Sequence, residues 1–193
     1  MIRIASESDV PAMLAIYAPY VEETTYSFEY TPPTQAVFLE RFHSITEQFP
    51  WLVWEEEGRI LGYAYAAAPF ERAAYRWCAE PSIYLAPEAR GRGIGTALYA
   101  VLEAILLRQG YQVLYALITE ENTPSLSFHA KCGYHLRMTL PDCGFKFGRW
   151  LGLSWLEKRL TFVETPSAFP GSWKSIVQGA ERFSNILDSL SLS

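Results

Sequence analysis

The chain has 193 residues, half of them hydrophobic and 15% aromatic, so one sizeable core is within reach and disorder is excluded for most of its length. Its formal net charge of −5 argues against a nucleic-acid partner and fits a solvated acidic surface. No window approaches about 18 uncharged apolar residues, so neither a membrane span nor a membrane partner is expected.

Met1 to Ala5 runs into polar residues without a signal-peptide pattern. Cys78, Cys132 and Cys143 form an odd set without CxxC spacing, as expected of reduced thiols in a cytoplasmic protein. Residues 2–5 alternate like a strand. Ser8 then caps a helix with Pro11 in its first turn and Val10, Met13, Leu14 and Tyr17 on one face, ending near Tyr20 through Pro19. Residues 21–33 read as an irregular loop, and Val37, Phe38, Phe42 and Ile45 mark a second helix that stops before Pro50.

Residues 51–55 and 59–68 read as two strands around the hairpin signal Glu57-Gly58. After a loop at 69–74, residues 75–86 read as a long strand interrupted by Pro81, which predicts a bulge or a parting from the neighbouring strand. Ile94, Ala97, Leu98, Val101, Leu102 and Ile105 then trace the clearest helical stripe in the chain, stopped by Gly110. A strand at 113–118, a short helix from Asn122 to Gly133, and strands at about 134–142 and 149–159 follow. The order β-α-α-β-β-β-α-β-α-β-β predicts an α/β (α+β) fold: a mixed sheet with helices on both faces. Residues 1–160 make one domain. Residues 161–193 make an extension in which Ile176, Val177, Ala180, Phe183, Leu187 and Leu190 follow a helical stripe, expected to dock on the domain or on a partner subunit.

Between strand and helix stands Arg90-Gly91-Arg92-Gly93-Ile94-Gly95. Glycines allow a tight turn and close backbone approach, and the helix behind them offers free N–H groups, so the turn reads as a phosphate or pyrophosphate site. Thr96 stands where the dinucleotide fingerprint needs glycine, and the Gly-Lys-Ser/Thr of a P-loop is absent. What remains is Arg-x-x-Gly-x-Gly: Arg90, Gly93 and Gly95.

Residues 90–95 resemble the pyrophosphate loop of the GNAT acyl-CoA-dependent N-acetyltransferases, whose fold matches the β/α order over about residues 1–160. More narrowly, residues 50–53, Arg72, Tyr75, Trp77, Glu80, residues 122–125, His129 and residues 144–150 are similar to the phosphinothricin/methionine sulfoximine N-acetyltransferases. The resemblance implies a GNAT fold with a mostly antiparallel sheet. It implies acetyl-CoA as cosubstrate, a small amino-acid-like amine as acceptor, no metal, and a homodimer. It further implies that the N–H groups of residues 91–96 (Gly91, Arg92, Gly93, Ile94, Gly95, Thr96) cradle the pyrophosphate beside Arg90. The pantetheine arm would run along Ile83, Tyr84 and Leu85, with Asn122 and Ser125 on its far side. The subfamily commonly carries a His-Asp pair after Trp150, where this chain has Leu151-Gly152, and Pro81 replaces a small hydroxyl residue.

Amide formation needs a neutral amine, a polarised thioester and a proton for the departing thiolate. Glu80 is the candidate base, on one face with Cys78 and Ser82; its alternative is a structural ion pair. An N–H around Ile83 or Tyr84 can polarise the thioester carbonyl. His129 is the candidate acid, its alternative a helix histidine bonded to a backbone carbonyl. Arg72 and Tyr75 are candidates to hold a substrate carboxylate, against loop solvation and core packing, and Phe28 to line the acceptor pocket. His129, Cys132 and His135 straddle Gly133 and lack a fourth ligand, so no metal is expected. The competing functions are acetylation of a protein N-terminus or polyamine, and a non-catalytic acyl-CoA sensor.

Overall fold

The computed structural model describes residues 1–178 and 180–192. Seven strands form one sheet in the order β1-β2-β3-β4-β5-β7-β6. They are β1 (Ile2–Ile4), β2 (Trp51–Glu56), β3 (Arg59–Ala67), β4 (Cys78–Leu85), β5 (Val113–Thr119), β6 (His135–Lys146) and β7 (Arg149–Arg159). Only β4 and β5 are parallel neighbours, joined by the crossover helix α3 (Ile94–Gln109); the other pairs are antiparallel. Helices α1 (Val10–Glu22) and α2 (Gln35–Thr46) cover one face of the β1–β4 half, where Met13, Tyr17, Phe38 and Phe42 meet Trp51, Val53 and Tyr63. The opposite face packs on the apolar stripe of α3, with α4 (Thr123–Lys131) beside it.

The sequence expectations shift at four places for local reasons. Asp9, not Ser8, organises the first helix: its carboxylate accepts the Ser6 N–H at 2.8 Å and holds Arg3 of β1 at 2.7 Å. Pro19 does not end α1 near Tyr20, because its carbonyl still accepts the Glu23 N–H at 2.9 Å and the helix runs to Glu22. Tyr75 belongs to no strand. A 3-10 turn spans Ala73–Tyr75, the Tyr75 N–H reaching Arg72 O at 3.0 Å, and β4 starts at Cys78. The strand expected over about 134–142 runs on to Lys146, absorbing Pro141 and Asp142 in an irregular register against β7 between Leu140 and Gly144.

Pro81 makes no bulge, because β3 and β4 run in even register through Ala67↔Glu80 and Ala66↔Pro81. It does mark a parting: β4 pairs with β5 only at Cys78↔Val113 and Ala79↔Leu114. The ladder explains why. Ala86 N–H reaches Leu61 O of β3 at 2.9 Å, whereas Leu85 N–H is met from the other side by the Tyr20 hydroxyl at 3.3 Å. By two-residue alternation, Glu80, Ser82 and Tyr84 turn their main-chain groups to β3, and Pro81, Ile83 and Leu85 turn theirs toward the gap. The donor that proline lacks falls where no strand is present to accept from it.

Beyond β7 the chain returns across α3 and forms α5 (Trp173–Val177) and α6 (Ala180–Ser189). Trp173 and Ile186 are buried against the α3 core, with Ile176, Val177, Phe183, Leu187 and Leu190 packed at its margin. Of the expected stripe, the Ala180 side chain lies outside the described residues. No described helix is long and apolar enough to cross a membrane.

Candidate active site

The parting of β4 and β5 opens a cleft. Glu80 to Tyr84 form one wall and Ala116 to Ile118 the other, with Tyr99 and His129 at its base. The cleft continues into a groove of about 320 Å³ bordered by Ile83, Leu85, Arg90, Gly91, Gly95 and Ser125. Two helix N-termini, of α3 and α4, face this groove and give it positive potential.

The glycine turn is built as its sequence requires. Gly91 and Gly93 have φ of 73° and 81°, and each has open space where a Cβ would project. Ala97 N–H is the first α3 amide to find a helical acceptor, Gly93 O at 3.0 Å, so the amides of Ile94, Gly95 and Thr96 lie ahead of the ladder. At Gly95 a Cβ would come within 3.3 Å of both Ile83 Cδ1 and Phe128 Cε2, so a side chain there would narrow the groove wall. Arg90 reaches the Tyr20 hydroxyl at 3.1 Å at the groove rim. Arg92 turns away and binds Glu56 at 2.9 Å, so what it offers the turn is its backbone. The Ile94 side chain is buried in the core and likewise offers only its amide. Asn122 caps α4 by accepting the Ser125 N–H at 3.1 Å. Because Gly93 adopts a left-handed conformation, Gly93→Ala is expected to cost about 1–2 kcal/mol and to raise the KM for acetyl-CoA; paired melting and saturation curves check it.

Glu80 is half-buried, and desolvation alone raises its carboxyl pKa, with no compensating partner among the described residues. That disfavours the ion-pair alternative. His129 is buried, and both its ring nitrogens are engaged. Nδ1 donates to Ser125 O at 2.8 Å, which leaves Nε2 to accept from the Tyr99 hydroxyl at 3.0 Å. Burial pushes the imidazole pKa down, so the neutral ring is favoured. The tyrosine lines the cleft together with Glu80. Tyr99 was hidden in the sequence because it stands inside α3 outside the stripe read there, and only the packed fold shows it buried beside His129.

The acceptor candidates are more scattered. Phe28 covers Gly144 of β6, so closely that a Cβ at Gly144 would collide with its ring. Tyr75 packs tilted against Phe70 with ring centroids 4.5 Å apart and, like Arg72, is exposed outside the Glu80 cleft. Of the two candidate oxyanion amides, alternation turns Ile83 to the gap and gives Tyr84 to the β3 ladder. Lys146 was missed by the sequence: its ammonium is buried and donates to Val21 O, Thr24 O and Ser27 O at 2.7, 2.9 and 2.7 Å, fixing the loop that carries Phe28. Leu151 is buried, and at Gly152 the Glu120 carboxylate lies where a side chain would stand, so this corner keeps an acidic group from another strand end. Among the described residues no three His, Cys, Asp or Glu side chains gather as a metal set.

The acetyltransferase (GNAT) domain model matches residues 2–155. The chain belongs to the GNAT acetyltransferases. It is similar to the phosphinothricin N-acetyltransferase of Alcaligenes faecalis, 38% identical over 166 residues, covering 85% of this chain and 84% of that protein. It is similar also to the L-methionine sulfoximine/L-methionine sulfone acetyltransferase of Pseudomonas aeruginosa, 35% identical with 82% and 94% covered. Among solved structures, a phosphinothricin acetyltransferase from Sinorhizobium meliloti in complex with AcCoA superposes with a TM-score of 0.81 at 36% identity, covering 88% of this chain and 92% of that one. This acetyltransferase uses acetyl-CoA as its acetyl donor. The orphaned α3 amides, the side-chain-free space at Gly91 and Gly93, and the outward main chain of Ile83 fit that cosubstrate.

Proposed function

We propose that this acetyltransferase acetylates the amino group of a small amino-acid-like substrate of the phosphinothricin, methionine sulfoximine or methionine sulfone type. The observation that carries the chemistry is Glu80, a desolvated and unpartnered carboxylate at the head of the cleft. Desolvation brings its pKa toward the working range of a base that deprotonates an ammonium. The Ile83 amide polarises the thioester carbonyl, and the amides of residues 91–96 beside Arg90 hold the pyrophosphate. Asn122 and Ser125 border the arm between them. The Tyr99 hydroxyl lines the cleft; turned from His129 Nε2 toward the departing thiolate it delivers the proton and regains one through the cleft solvent from the proton taken by Glu80, so His129, neutral, positions the phenol and is not itself the acid. Arg72 and Tyr75 bind the acceptor carboxylate when their loop bends toward Glu80, and Phe28 closes the pocket from the opposite side.

The acceptor class rests on the relatives' substrates and on an Arg72-Tyr75 pair suited to an anionic group. The test is CoA release with L-methionine sulfoximine, L-methionine sulfone, phosphinothricin and free amino acids, beside spermidine and a peptide with a free N-terminus. Turnover of the first group supports the proposal. Turnover confined to spermidine or the peptide overturns the acceptor, and tight acetyl-CoA binding without any turnover overturns the enzymatic role.

Two copies pair through the face of β5, β7 and β6 that α1 and α2 leave uncovered. Met138 and Leu140 stand there 52% and 38% exposed, on one face with Leu153 and Trp155 by the β6–β7 register. Sedimentation at micromolar concentration is expected to give a dimer mass, and a monomer would refute the pairing. A cytoplasmic location fits the three free cysteines and the demand for acetyl-CoA.

A further inference from the structure

We infer that the C-terminal extension is a positioning element for the acceptor loop, with Phe169 holding the segment that carries Arg72 and Tyr75. The inference rests on the assignment of Arg72 and Tyr75 to acceptor binding. The matched GNAT domain ends at residue 155, so the extension is an addition to it.

The path of the chain supplies the geometry. After β7, Val163 N–H donates to the Gln112 side chain at 2.9 Å, and the chain passes the flank of the acceptor loop. There Trp77 Nε1 donates to Ala168 O at 3.2 Å, the Phe169 ring lies 5.1 Å from that of Trp77, and the Arg76 guanidinium sits 4.8 Å from the Phe169 centroid. Directly afterwards the chain is fastened to the core. Gly171 N–H donates to Gln109 O at 2.7 Å, the Gln109 side chain donates to Gly171 O at 2.9 Å, and buried Trp173 donates to Thr46 O at 3.0 Å. Residues 168–170 are thus a short bridge between a fixed anchor and the last two residues before β4.

Phe169 is 54% exposed, so it contributes little to the core. Its described aromatic and cationic contacts, Trp77 and Arg76, both belong to the loop flank. On the loop's inner side Phe70 packs tilted against Tyr75 and stacks, at 5.9 Å, on Trp155 of β7. Between Phe70, Tyr75 and Arg76 on one side and Phe169 and Pro170 on the other lies a cavity of about 440 Å³. The loop's two internal backbone bonds, Tyr75 to Arg72 and Arg76 to Ala73, leave it short of its own support. A cation–π contact and an aromatic pair on its flank restrict its swing, while the cavity between loop and tail keeps the two from packing solidly, so those contacts are what holds the loop from that side. Such a device acts on acceptor affinity and leaves the donor groove alone.

The test uses the full chain with acetyl-CoA and L-methionine sulfone. Phe169→Ala is expected to raise the KM for the acceptor by about tenfold, the effect of losing one aromatic and one cation–π contact, with kcat and the KM for acetyl-CoA within twofold of wild type. The melting temperature should move little, as for other exposed positions, and Phe169→Tyr should restore the acceptor KM. Trp173→Ala is the structural control and should lower the melting temperature through its buried side chain. Unchanged acceptor KM in Phe169→Ala, or an equal rise in both KM values, overturns the inference. Arg72→Ala separates the two levels. If it raises the acceptor KM and Phe169→Ala does not, the tail's role fails alone; if Arg72→Ala also leaves it unchanged, the assignment of the loop fails and the tail's role with it.

Discussion

Glu80→Gln is expected to lower kcat by roughly 10²–10⁴-fold, the range of a lost general base, with acetyl-CoA affinity unchanged. The substitution keeps size and shape and removes only the ability to take a proton. Because desolvation raises the Glu80 pKa, wild-type kcat/KM should climb with pH through an apparent value above the ordinary carboxylate range, and that limb should vanish in the variant. Stability should move the other way. A carboxyl whose folded pKa lies above its unfolded value carries no penalty below the unfolded value, and a growing one as pH rises toward and through the folded value. At neutral pH the unpartnered carboxylate therefore costs stability, so the glutamine variant should melt at a higher temperature than wild type, the difference fading in acid. A gain in stability together with a collapse of kcat is hard to produce by misfolding, which makes the pair of readouts diagnostic. Unaltered kcat would remove Glu80 from the mechanism.

Much of the donor side could be read from the chain because it is made of backbone. The α3 stripe follows from period alone, and the turn before it from glycines whose positive φ no other residue adopts cheaply. Pro81 shows where such reasoning stops. Sequence says that a donor is missing, but not whether the missing donor points at β3 or at the departing β5, and that direction decides between bulge and parting. The strand expected from residue 75 starts only at Cys78, because a single 3-10 turn ties Tyr75 back to Arg72. Tyr99 and His129 are thirty residues apart, and their contact exists only once α3 and α4 share a face of the sheet. The proposed acceptor side is made of such long-range meetings: Phe28 on Gly144, Glu120 on Gly152, Phe169 on Trp77. None of them follows a short spacing, so the sequence leaves them unmarked.

Lys146 is the extreme case, and Lys146→Met should be the most destabilising single change at the site. A lysine two residues before Gly148 in a hairpin turn reads as solvated, yet its ammonium is buried and takes three carbonyls from the distant segment Val21 to Ser27. One of them, Val21 O, lies in the last turn of α1 beyond the final helical hydrogen bond, so the cation closes the helix C-terminus where the dipole favours positive charge. Methionine keeps the stem and loses all three bonds, leaving polar oxygens with nothing to accept from. The expected loss is about 3 kcal/mol, roughly 6–12 °C in melting temperature for a chain of this size. The loop from Thr24 to Phe28 should loosen with it, so the acceptor KM should rise while acetyl-CoA binding, built on α3, holds. Desolvation lowers the lysine pKa in the folded state below its unfolded value, so linkage adds stability to wild type as pH rises between the two. The gap between wild type and Lys146→Met should therefore widen in alkaline solution, opposite to what a simple surface ion pair would give. A melting temperature within a degree or two of wild type at neutral pH would mean that the three carbonyls find water instead, and that the loop is not held by this lysine.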